Sequence, residues 1–217
     1  MIIARKNQNT PFQAKSLLNY WAANRVVTFA FLKSAVQKNT LFFLASVTLF
    51  LLGNYKNAFA QQYKSKRPSP PKTVTQEFKG GNVTIDYSSP AVKWRKIWNG
   101  LVPYGEVWRT GANEATVITF DKAVRIEGHH LPVGKYALFT IPEDDKWIII
   151  FNAQHKQWGA FKYNKKDDVL RIKVKSGTTK THTERLLFEI TKRTPEKGTV
   201  KLFWEKMKIA FDFELDK

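Results

Sequence analysis

The stretch IAFDFEL, residues 209–215, decides the fold class. Ile209, Phe211, Phe213 and Leu215 alternate with Ala210, Asp212 and Glu214. Successive side chains of a strand point to opposite faces, so this period of two sets an apolar face on a core and a polar face in water. The same alternation recurs at Val83, Ile85 and Tyr87, at Ile172 and Val174, and at Leu186, Phe188 and Ile190. WIIIF, residues 147–151, is apolar without a break and predicts a central strand covered on both faces; residues 136–141 read the same way.

Turn signals separate these runs. Gly128, Pro132-Val133-Gly134, the 142–145 stretch PEDD and the 195–198 stretch PEKG each end a strand. Asp121-Lys122 predicts a hairpin joining strands over 115–120 and 123–127. About nine strands with short turns and no amphipathic helix predict an all-β antiparallel sandwich, Greek-key or jelly-roll-like. The exception is residues 88–113, SSPAVKWRKIWNGLVPYGEVWRTGAN, a long aromatic loop of the kind that often carries function.

The chain has 217 residues, with 36 Lys+Arg against 18 Asp+Glu. Every acidic residue lies at or after Glu77, so much of the +18 charge belongs to the first third of the chain. The remaining two thirds are only moderately basic, which argues against a nucleic-acid partner. Cysteine is absent, which excludes disulfides, thiol nucleophiles and zinc–thiolate sites.

Residues 41–52, LFFLASVTLFLL, come after Lys33 and Lys38 and precede Ala58-Phe59-Ala60. This is the pattern of a secretory signal peptide, with cleavage expected after Ala60. Retention as a membrane anchor is the alternative. Residues 1–37 are basic and acid-free and take no part in the fold reading. The expected organisation is a leader over 1–60 that contacts the membrane during export, a Pro/Lys-rich solvated linker over 61–72, and the β-sandwich over 73–217. The expected location is the periplasm or cell envelope.

The runs LVPYGEVWRTGANEAT (101–116), LPVGKYALFTIP (131–142), WIIIFN (147–152) and QWGAF (157–161) together resemble domain-of-unknown-function family 2911, met in exported proteins of Bacteroidetes-type bacteria. The resemblance implies no activity. One departure is Trp94, where the family pattern has glycine before Arg95.

The residues themselves single out WRTGANEA. Arg109, Asn113 and Glu114 bring donors, an amide and a carboxylate into one segment, beside the flat faces of Tyr104 and Trp108. Aromatic planes with a few directed polar groups suit a sugar, a peptide or another small polar ligand, or an envelope component. The competing reading is a clamp: a turn at Gly111 brings Arg109 back onto Glu114 and ties the loop to the sheet. A non-catalytic binding or envelope-associated module is the first reading. An enzyme with Glu114 as acid/base and Arg109 holding an anionic group is the second. No cofactor or metal is expected. His129 and His130 are strand neighbours facing opposite ways, and His155 and His182 stand alone. Glu143, Asp144 and Asp145 read as a solvated turn, and Arg171, Lys173 and Lys175 as a solvated strand face.

Overall fold

The computed structural model describes residues 63–216, so the leader, its cleavage site and the anchor alternative lie outside the described residues. Among the described residues, no helix is long and apolar enough to cross a membrane.

The described chain forms nine strands: β1 (Pro71–Phe78), β2 (Gly81–Ser88), β3 (Val117–Phe120), β4 (Val124–Ile126), β5 (His129–Leu131), β6 (Gly134–Pro142), β7 (Lys146–Asn152), β8 (Asp168–Lys192) and β9 (Lys197–Leu215). All pairings between them are antiparallel, in one sheet of order β1-β2-β3-β6-β7-β8-β9-β4-β5. β8 changes partner part-way: residues 168–175 pair with β7 and residues from Ser176 onward with β9. In the second half the register jumps from Thr178↔Met207 to Thr183↔Glu205, and Glu205 takes φ 57°. Extra residues on one strand bend it and raise its twist. The sheet thus folds over itself. Phe120 of β3 and Phe213 of β9 stand four places apart in the strand order, yet their rings meet at 6.0 Å. Phe151 of β7 meets Phe211 of β9 edge-on at 5.6 Å. The alternating apolar faces read from the sequence form this interior.

β7 lies between β6 and β8 with Trp147, Ile149, Ile150 and Phe151 buried, so the unbroken apolar run is a central strand as expected. The Asp121-Lys122 hairpin does not form. β3 pairs with β2 and β6, whereas β4 pairs with β5 and β9. A two-residue hairpin needs positive φ in its turn, and neither Asp121 nor Lys122 has it. Glu127 and Gly128 do, at φ 46° and 83°, and they close β4 onto β5 with Ile126 opposite His129. The chain uses residues 121–122 to cross between strands that are not neighbours.

Four tryptophans from distant segments meet inside: Trp98 and Trp108 of the long loop, Trp147 of β7 and Trp204 of β9. Trp98 packs edge-on against the other three at 5.0–6.0 Å. Trp108 stacks on Trp204 at 5.7 Å with 15° between the ring planes. Burial of such large rings anchors the loop to the core.

Candidate functional site

The WRTGANEAT segment leaves and rejoins β6 at two nearby points. Trp108 exchanges backbone hydrogen bonds with Thr140, at 2.8 and 2.9 Å, and Leu138 N–H donates to the Thr116 carbonyl at 2.7 Å. Residues 109–115 project between these ties. Among the described residues, five of the seven non-glycine residues with positive φ fall between Lys93 and Asn113: Lys93, Trp94, Asn99, Thr110 and Asn113. Backbone strain of this kind concentrates at functional sites. Asn113 is the residue type that tolerates such a conformation best after glycine; Thr110, β-branched and buried, tolerates it poorly. Trp108 Nε1 donates to the Gly111 carbonyl at 3.2 Å and Thr116 Oγ1 to the Thr110 carbonyl at 2.9 Å, which hold the strained turn.

Gly111 does not take a positive φ, contrary to the turn expected there. Its requirement is space: a Cβ would sit 2.9 Å from Thr116 Oγ1 and 3.1 Å from the Ser88 carbonyl oxygen.

The Arg109–Glu114 clamp is likewise corrected. Glu114 is held by the segment that the sequence reads as a solvated linker. Arg67 Nη1 donates to both carboxylate oxygens, at 3.0 and 2.8 Å, and Lys64 Nζ stands 3.3 Å from Oε1. Burial raises the Glu114 pKa, but hydrogen bonds from its own backbone and from Arg67 and Lys64 outweigh that and hold it below the usual carboxylate value. Asn113 Nδ2 donates to the Ser69 carbonyl at 3.0 Å, Ser89 N–H to the Pro70 carbonyl at 2.9 Å, and the Arg67 guanidinium lies 5.6 Å from the Trp158 ring centroid. Residues 64–70 therefore form a strap seated on the loop. Proline supplies no N–H to compete, so the strap's carbonyls remain available as acceptors.

Arg109 makes no pair with Glu114. It lines a cavity of about 300 Å³ with Arg95, Trp108, Asn113, Leu101 and Trp204. No hydrogen bond or ion pair of its side chain is found among the described residues, and its Nε is buried without a partner. Burial draws its pKa below the ordinary guanidinium value. Arg95 is fixed by main-chain carbonyls alone: Nε donates to Val92 at 3.0 Å and Nη2 to Ala91 at 2.6 Å. Of the expected residues, Trp108, Arg109 and Asn113 share this cavity. Glu114 turns to the strap. Tyr104 is half-buried outside the cavity lining, its phenol pKa raised by burial and by Asp144.

The loop's frame, its four-tryptophan anchor and QWGAF are one unit. Gly159 N–H donates to the Asn113 carbonyl at 2.9 Å and Ala115 N–H to the Gln157 carbonyl at 3.0 Å, so the WRTGANEA and QWGAF runs lie side by side. The family described as "Protein of unknown function (DUF2911)" matches residues 69–213. The chain belongs to this family. No curated protein and no solved structure matches it. In this DUF2911 chain the match begins at Ser69, whose carbonyl receives Asn113, and takes in the whole cavity; Lys64 and Arg67 precede it.

Elsewhere the DUF2911 domain offers less. No cluster of three or more potential metal ligands occurs among the described residues. His130 pairs with Asp216 at 3.4 Å and His182 with Glu184 at 3.2 Å. A second groove, about 350 Å³, is lined by residues of β4, β9 and their turns, but its charges are matched within it: Arg193 with Asp212 at 3.0 Å, Lys197 with Glu214 at 3.1 Å. Arg95, Trp204 and the strap were missed by sequence reasoning. Arg95 stood in the flagged loop; Trp204 and Arg67 gave no signal, because only the fold brings them there.

Proposed function

We propose that this DUF2911 chain is an exported, non-catalytic binding module of the cell envelope that takes a small polar ligand into the cavity beside the WRTGANEA loop. One observation carries the reading. The cavity is walled by Trp108, Arg109 and Asn113, while Glu114, the loop's carboxylate, has both oxygens occupied by Arg67 and Lys64. An acid/base group must reach the proton that it moves. A carboxylate bound to a strap and turned from the cavity serves the loop's shape instead. The signal-like leader supports export.

The test is a binding panel of neutral and acidic sugars and short peptides, read by thermal shift and tryptophan fluorescence. The four-tryptophan cluster makes emission sensitive to an occupant. Saturable binding without turnover is expected. A panel that leaves both signals unchanged, or turnover of a panel member that vanishes in Glu114→Gln, overturns the reading.

A further inference from the structure

We infer that the cavity selects an oxyanion: a small molecule whose carboxylate or phosphate docks on Arg109, with Arg95 alongside. The inference rests on the binding reading above and adds the ligand's charge.

A buried or half-buried guanidinium is costly unless paired. Two partly buried arginines obey this: Arg67 has Glu114, and Arg171 has Asp168 at 2.7 Å. Arg109 has no acidic partner among the described residues. None can come from the rest of the side chains either, because residues 1–62 and Lys217 contain no Asp or Glu. Arg95, on the exposed rim of the same cavity, spends its hydrogen bonds on neutral carbonyls and adds a second positive charge there. The cavity lining holds no carboxylate at all.

The orphaned polar atoms point the same way. Of the buried side-chain atoms without a partner among the described residues, two belong to the cavity lining, Arg109 Nε and Trp204 Nε1, and both are donors; Gln157 Oε1, an acceptor, lies outside it. A buried donor left without an acceptor calls for an explanation, and an anion rich in acceptor oxygens is the complement of a site with surplus donors. A planar fork beside the apolar wall of Leu101, Val102 and Trp108 matches a small organic acid.

Full-length protein is titrated with glucuronate, with glucose and with inorganic phosphate, monitored by tryptophan emission. Glucuronate is expected to bind saturably, phosphate to compete with it, and glucose to leave the signal unchanged. Raising ionic strength from low salt to about 0.15 M should weaken glucuronate binding. Arg109→Gln should weaken it by about tenfold or more, with Arg109→Lys retaining part of the affinity and neither lowering the melting temperature. If Arg109→Gln does not fold, the charge selectivity of the wild-type chain decides alone. Glucose binding as tightly as glucuronate, or Arg109→Gln binding glucuronate as the wild type does, overturns the inference and leaves the binding reading standing. Silence from both acids also overturns it, and the neutral sugars and peptides of the wider panel then decide the binding reading separately.

Discussion

Arg67 Nη1 lies 2.8 Å from Oε2 of Glu114, a residue 47 positions away, and this contact joins the strap to the strained loop. The pair is partly exposed, at 20% for the Arg67 side chain and 40% for Glu114. Its coupling should therefore be modest, about 1 kcal/mol. A double-mutant cycle on Arg67→Ala and Glu114→Ala, measured by urea unfolding, should return that coupling. The same cycle on Arg109 and Glu114 should be additive within about 0.5 kcal/mol, because Glu114 pairs with Arg67 and Lys64 and not with Arg109.

Acid should loosen the strap before it unfolds the sheet. Glu114 has a folded-state pKa below its ordinary 4.5. A depressed carboxyl pKa contributes stability that is fully present above the unfolded value and is lost as pH falls through the folded one. Limited proteolysis in the 63–70 region should accelerate as pH drops below about 4.5, while the near-ultraviolet signal of the tryptophans persists. In Glu114→Gln that pH dependence should flatten, with the strap already more open at neutral pH.

Trp94→Gly should stabilise the chain. Trp94 holds φ 61° with its side chain fully exposed, so it gives up backbone energy without burying its ring. The left-handed conformation costs about 1–2 kcal/mol in a residue with a Cβ, against about 0.5–1 kcal/mol of extra entropy lost by glycine. A net gain of about 0.5–1 kcal/mol in urea unfolding is expected, with no change in ligand affinity. A loss of stability would mean that the ring makes a contact that the folded domain does not show.

Gly111→Ala should cost about 2–3 kcal/mol, because the new methyl meets Thr116 Oγ1 and the Ser88 carbonyl, groups fixed by the packing around them. The damage should reach the cavity as well as stability: Trp108 Nε1 donates to the Gly111 carbonyl, so the stacked Trp108–Trp204 pair should shift and its near-ultraviolet circular dichroism weaken.

Period-two alternation and turn residues carry strand identity, so β2, β6, β7 and β9 were legible from residues such as Val83, Tyr136, Trp147 and Phe211. Pairing was less so. A turn at Asp121-Lys122 was visible, but whether it returns the chain beside itself depends on turn φ angles that a sequence of Asp and Lys does not declare. The loop's departure from strand structure was legible in its density of aromatic and polar side chains. The partner of Glu114 was not: a Lys/Pro-rich run reads as solvated because nothing local can bury it, and only the fold delivers an acid to it. Arg109 stood out in the sequence beside Glu114, but its lack of an acidic partner is a property of the fold, which hands Glu114 to Arg67 and Lys64.

The late strand β9 has a consequence for how the protein comes into being. β4 finds its partners in β5 and in residues 213–215, nearly the end of the chain, and without that pairing the two short strands sit on no sheet. Long-range pairing of this kind slows folding. Closing residues 124–126 onto residues 213–215 is therefore the slow step expected of this sheet, and topology rather than any one side chain sets its rate.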